Sequence, residues 1–287
     1  CRRQRHLTVA TLPTWGAPYL PPHVLRAECD AMREAITEAI LTVLGEAGVI
    51  AILGHGSSLK HWDSPIDYVP EFSDVDVQVV LRDPGLFDDH LENALAIQRQ
   101  YERRYAQRRP TSRHFPRPQI MVINRLLTSP EFLSGPPGTG ATLYGKPFEE
   151  LRPQPDPRFV TEVDRKTLLG DANRPWLENL PSHIIDRPGK FLFQPLRDLS
   201  WRVAPLAPRV LSVLGARFEE AWGQNRTGLV QSLNTHGQPE FADAYAGFYL
   251  EGWNFFLSGY SDADAARRAL LAGRDVLERA VEVARSN

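Results

Sequence analysis

The sequence predicts an α/β fold: a small sheet with flanking helices in the first half of the chain, then a helical bundle. Three observations carry the prediction. Short runs of branched apolar residues at 49–53, 75–81 and 120–123 alternate with two longer stretches of helical periodicity. Proline crowds residues 146–190, at Pro147, Pro153, Pro155, Pro157, Pro175, Pro181 and Pro188. From 191 onward the apolar spacing is helical.

In chain order, Pro13, Pro18, Pro21 and Pro22 make residues 12–22 an extended arm. Residues 23–47 place Leu25, Cys29, Met32, Ile36, Ile40, Val43 and Leu44 on one helix face, and Gly48 supplies the stop. Residues 49–53 read as a buried strand, and 62–71, broken by Pro65 and Pro70, as a loop. A second strand at 75–81, a turn at Asp83-Pro84-Gly85, a helix at 87–107 and a third strand within 117–126 follow. Residues 146–190 have too many prolines for long helices and read as a linker, with a short element at 160–169. The bundle then contains about four segments: 191–214, kinked or divided by Pro195, Pro205 and Pro208; 217–233, weakened by Gly223 and Gly228; 240–257; and 262–284. The expected domains are 1–150, a connector at 151–190, and 191–287.

The 287 residues, 42% apolar and 24% charged, describe an ordinary globular chain. No apolar run approaches the ~20 residues needed to cross a bilayer, so no membrane partner is expected. The N-terminal segment is basic but lacks the apolar core of a secretory signal, and starting at Cys1 rather than Met implies residues upstream. Cys1 and Cys29 form neither a disulfide framework nor a metal spacing, which fits a reducing cytoplasm. A net charge of −2 argues against a surface wholly devoted to gripping nucleic acid.

The chemistry concentrates between 49 and 81. The apolar run Val49-Ile50-Ala51-Ile52-Leu53 leads into Gly54-His55-Gly56-Ser57, and a second run opens with Ser73-Asp74-Val75-Asp76. Side chains alternate along a strand, so Asp74 and Asp76 point to one face. Two like charges held together call for a cation, and a hard, oxygen-loving ion such as Mg²⁺ fits. Gly56 permits close backbone approach and Ser57 adds a hydroxyl, as phosphate binding requires.

Gly56-Ser57, a spacer and Ser73-Asp74-Val75-Asp76 followed by an apolar strand resembles the signature of the DNA polymerase β-type nucleotidyltransferase superfamily. The resemblance covers roughly the first half of the chain. It implies a small mixed-sheet nucleotidyltransferase domain, in the helix–strand–loop–strand–helix–strand order read above. It further implies that Gly56 and Ser57 bind triphosphate oxygens, that Asp74 and Asp76 hold two Mg²⁺ ions and carry catalysis, and that Ser73 orients the aspartate turn. ATP or another nucleoside triphosphate is the expected substrate. The spacer from Ser58 to Ser73 exceeds the usual pattern, which requires an insertion around 62–70. The segment Leu143-Tyr144-Gly145 resembles one found after the catalytic strands in such enzymes. The two-domain layout is similar to antibiotic nucleotidyltransferases. It favours a small-molecule acceptor over RNA or protein, although a cationic aminoglycoside would want an acidic cleft and the second half is nearly balanced in charge.

The third strand departs from the family, which places a carboxylate there. Gln119 or Met121 holds the expected position, and neither accepts a proton; Gln119 offers only a neutral oxygen to nucleotide-bound metal. Three explanations remain open: a base from elsewhere, with Glu251 and Asp198 as candidates; deprotonation of the acceptor at a metal ion; or nucleotide binding without transfer. Lys60 follows the Gly-Ser turn closely enough to reach a phosphate, and His55 lies within the turn, yet a solvated lysine and a satisfied turn histidine are the ordinary readings. The run Arg103, Arg104, Arg108, Arg109, Arg113, His114 and Arg117 is either a solvated helix end or a basic patch that steers a triphosphate or an RNA end. The aromatic stripe of 240–257 is either core or the lining of a cleft. Residues 135–142 have the glycines and threonine of a P-loop, but Ala141 replaces its lysine and no clear strand feeds it, so they read as a plain loop.

Overall fold

The computed structural model describes residues 11–88, 90–129, 131–133, 135–151, 156–170 and 173–287. Cys1, Pro153 and Pro155 lie outside them. The protein is a mixed α/β fold with a helical C-terminal region. Two compact units divide it. The sheet unit comprises 20–61 and 73–155; the helical unit takes 62–72 and 156–287 together with 11–19. Among the described residues no helix is long and apolar enough to cross a membrane.

The sheet unit contains α1 (Pro22–Leu44), β1 (Val49–His55), β2 (Val75–Leu81), α2 (Gly85–Asp88), α3 (Leu91–Arg108), β3 (Pro118–Val122), α4 (Asn124–Leu127), β4 (Ala141–Gly145) and α5 (Phe148–Leu151). The strand order is β3-β2-β1-β4. β1 is antiparallel to β2 and β4, and β2 is parallel to β3, the crossover being made through α3. α1 packs on α3 and on the sheet with Leu25, Cys29, Met32, Ile36 and Ile40 buried, the face its spacing predicts. Ion pairs seam the two helices, from Arg104 to Glu38 at 2.9 Å and from Arg108 to Glu38 at 2.5 Å. At their far end His114 Nδ1 lies 2.5 Å from Glu28 Oε2, with both side chains fully buried. Burial pushes the Glu28 carboxyl upward, but the bonds from His114 and the Arg113 amide outweigh it and hold it below the usual range.

Ala51, Leu53, Val80 and Ile123 form a core cluster on one sheet face, with Met121, Leu126 and Phe148 packed against it. Val75, Val77 and Val79 are buried on the other face, so β2 alternates as period two requires. α1 stops at Gly45, whose φ of 75° needs glycine, rather than at Gly48, which sits in a short 3₁₀ turn. β4 was not expected. Four of its five residues pair with β1, making a half-buried edge strand, where no continuous apolar run is needed. It also supports the rejection of the P-loop, since Thr142 enters a strand and not a helix.

The helical unit contains α6 (Pro157–Leu169), α7 (Arg174–Ile184), α8 (Phe193–Val203), α9 (Leu206–Val213), α10 (Phe218–Trp222), α11 (Arg226–Thr235), α12 (Pro239–Leu257) and α13 (Ala263–Ser286). Residues 151–190 therefore hold helices of 13 and 11 residues: α6 contains the element expected at 160–169 but is longer, and α7 was not expected. Pro157 and Pro175 occupy first-turn positions, where a missing N–H costs nothing, and only Pro181 lies inside a helix. Pro205 separates α8 from α9 and Gly223 separates α10 from α11, giving six segments after residue 190 where about four were expected. The aromatic stripe of α12 is core: Phe241, Tyr245, Phe248, Tyr249 and Trp253 are each at most 1% exposed, and Phe256 at its end is half-buried.

The segment 62–72, between β1 and β2, is captured by this unit. Asp67 is buried and accepts from the backbone amides of Asp63 and Ser64 at 2.8 and 2.9 Å. It also accepts from the Thr227 amide and hydroxyl, both at 2.8 Å, at the first turn of α11. Arg226 donates to Ile66 O at 2.9 Å while its guanidinium stacks on Tyr249 at 3.9 Å. Trp253 Nε1 donates to Pro65 O at 2.7 Å, and Trp62 stacks on Tyr68. Replacing Asp67 by Ala strands four donors, and the expected cost is on the order of 3 kcal/mol. Chemical denaturation of Asp67→Ala checks this; a loss below about 1 kcal/mol would mean that the aromatic contacts alone hold the segment.

Candidate functional site

The site lies where β1 ends and β2 begins. Antiparallel pairing sets His55 opposite Asp76, and parallel pairing sets Gln119 opposite Asp76 on the other side. Paired residues share a face, so β3 brings Gln119 to the carboxylates. Met121, the other candidate for that position, joins the core cluster instead. With its NH₂ turned to them, the Gln119 amide donates to Asp74 Oδ2 at 2.8 Å and Asp76 Oδ1 at 3.1 Å. The register also brings up Arg117, whose Nη1 donates to Asp74 Oδ1 at 2.9 Å. Asp74 is 8% exposed, while the Arg117 side chain is 46% exposed. Two carboxylates thus face one guanidinium and one neutral amide.

Gly56 closes the other side. Its φ is 86°, and a Cβ built there would collide with Asp76 Oδ2. The glycine is therefore required twice, for its backbone angle and for the room its missing side chain leaves. Leu59 N donates to Gly56 O at 3.2 Å, making a turn that two arginines of α1 hold from behind. Arg33 Nη1 donates to Ser58 Oγ at 3.2 Å, and Arg26 Nη2 donates to Lys60 O at 2.6 Å. Ser57 follows Gly56 on this turn, and Ser73 is buried directly before Asp74. Burial, reinforced by the charge of Lys60, lowers the half-buried His55 from 6.5 to about 4, so the imidazole is neutral at neutral pH.

Gly56, Asp74, Asp76 and Gln119, singled out in the sequence, come together. Arg117 was noted there only as part of a basic run. Its spacing of two from Gln119, mirroring Asp74 and Asp76, is the signal that marks it. Half of the rest of that run is committed elsewhere: Arg104 and Arg108 to acidic residues of α1, and His114 to Glu28. Glu251 is engaged by Arg268 through bonds of 2.8 and 3.0 Å, and Asp198 accepts from Gln194 at 3.0 Å. Among the described residues no group of three or more His, Cys, Asp or Glu side chains is placed to hold a metal. Two carboxylates with the Gln119 oxygen still suit Mg²⁺, which is commonly held by one or two carboxylates and completed by substrate phosphates.

No protein-family model, curated protein or solved structure matches the chain.

Two expectations follow. Gly56→Ala should destabilise the protein more than Gly138→Ala, whose φ of 77° is similar but whose Cβ would meet nothing within 4 Å. The left-handed angle alone accounts for about 1–2 kcal/mol in both, so equal losses by denaturation would remove the collision with Asp76 from the account. His55 should make stability depend on pH. Below 6.5 the unfolded chain takes up a proton that the folded imidazole refuses until about 4, so its contribution is complete above 6.5 and is lost as pH falls toward 4. The unfolding midpoint of His55→Gln should fall less steeply across that window; parallel slopes would contradict the assignment.

Proposed function

We propose that this chain is a metal-dependent nucleotidyltransferase that moves a nucleoside monophosphate, AMP from ATP in the first instance, to a hydroxyl-bearing acceptor. The observation that supports it best is the approach of the Asp76 carboxylate to Gly56, with Asp74 and Gln119 beside it. A phosphate chain lying on the Gly56-Ser57 turn would meet both carboxylates. Asp74 and Asp76 would hold Mg²⁺ ions, with the Gln119 amide turned to present its oxygen. Bound there, Mg²⁺ supplies charge neutralisation for the triphosphate and the leaving pyrophosphate. Ser57 and the backbone of the turn would hold the β- and γ-phosphates, Ser73 would orient the aspartate turn, and Lys60 lies close along the chain. A small-molecule acceptor is preferred over RNA, because Arg104, Arg108, His114 and Arg117 of the basic run near the site are paired with acidic side chains.

A second reading is favoured by Gln119 itself, which stands where a proton-accepting carboxylate is expected. Under it the protein is a degenerate member of the same class that binds nucleotide without transferring it. Calorimetry with ATP and Mg²⁺ tests binding, and α-labelled ATP incubated with a cell lysate tests transfer and identifies the acceptor. Asp74→Asn and Asp76→Asn should each reduce transfer at least ~100-fold with the fold intact by circular dichroism. Binding without transfer supports the second reading, and full transfer by either variant refutes the role given to the aspartates.

A further inference from the structure

We propose that Arg117 is a latch on the cation site, which opens when nucleotide-bound metal arrives. The proposal rests on the functional reading above and adds to it the order in which the ligand's parts bind. Both oxygens of Asp74 are engaged by protein groups: Oδ1 by Arg117 Nη1 at 2.9 Å and, with its NH₂ turned to the carboxylates, Oδ2 by the Gln119 amide. Across Asp74, Asp76, Gln119 and Arg117 the formal charges are two negatives against one positive. A third carboxylate in place of Gln119 would leave two net negative charges there, enough to draw a free divalent ion. Here a divalent ion alone must displace the guanidinium and then sit near it, and like charges oppose that. A metal–triphosphate complex carries its own negative charge and gives Arg117 a new partner. The Arg117 side chain is 46% exposed, and its guanidinium fits phosphate oxygens as well as carboxylate ones. It can therefore exchange Asp74 for a phosphate as the metal takes its place.

The latch makes two opposite expectations for one substitution. Arg117→Met should bind Mn²⁺ alone on the order of 3–10-fold more tightly than the unmodified protein, because the competitor for Asp74 is gone. The same variant should bind the Mg²⁺ complex of α,β-methylene-ATP several-fold more weakly, because the phosphate partner is gone. Electron paramagnetic resonance of Mn²⁺ and calorimetry with the analogue measure these affinities without turnover. Arg117→Lys, which keeps the charge, should lie between the two proteins in both assays. Asp74→Asn should abolish Mn²⁺ binding in either background. Mn²⁺ affinity unchanged or weakened by Arg117→Met, with Asp74 still required, overturns the latch and leaves the nucleotidyltransferase reading standing. Absence of both Mn²⁺ and nucleotide binding in every folded variant overturns that reading, and the latch with it.

Discussion

Two carboxylates two residues apart on one sheet face repel each other, and the end of the sheet is arranged around that repulsion. Asp74 and Asp76 cannot turn away, because the alternation that aligns them also buries Val75 and Val77 behind them. The strain of like charges is met from three directions. The guanidinium of Arg117 neutralises one charge, the Gln119 amide bridges both, and Gly56 withdraws its side chain to admit an oxygen of Asp76. All three depend on register. A slip of one residue between β2 and β3 would turn Arg117 and Gln119 to the opposite face. Backbone pairing is thus what determines the electrostatics of the site.

Much of this was legible in sequence. The limits of β2 are legible, because Val75, Val77 and Val79 alternate with Asp76 and Gln78 and then run into Val80-Leu81. α12 and α13 were read nearly to their ends for the same reason, strong periodicity over many turns. β4 was not legible. An edge strand that is half-buried needs only backbone partners, and Ala-Thr-Leu-Tyr-Gly has no pattern that separates it from a loop. The length of α6 and the presence of α7 are hidden for another reason. Proline was counted as a breaker, whereas its position in a helix decides its effect, and two of these prolines begin helices.

The site was legible where its residues are local in sequence and obscure where they are not. Gly56, Asp74 and Asp76 announce themselves by spacing. Whether Gln119 or Met121 faces them could not be read, since the choice depends on parallel pairing across a helical crossover. The structure resolves it in a single register, Asp76 with Gln119, and sends Met121 to the core. Arg117 was obscure because a run of arginines looks uniform in sequence. Its spacing from Gln119 tells it apart only once β3 is paired with β2, as the fold pairs them; the members that seam α1 to α3 carry no such mark.

The helical unit draws residues 62–72 from between two neighbouring strands, while its helices lie beyond residue 156. Neither unit is thus a continuous stretch of chain. During synthesis the ribosome releases both strands of the β1–β2 pair long before α11, which supplies the partners of Asp67, has been made. Until then a segment whose Trp62, Ile66, Tyr68, Val69 and Phe72 are buried in the finished fold must wait in solvent. Its maturation is a late, non-local event, in which closing a loop of some hundred and sixty residues precedes any gain from the contacts.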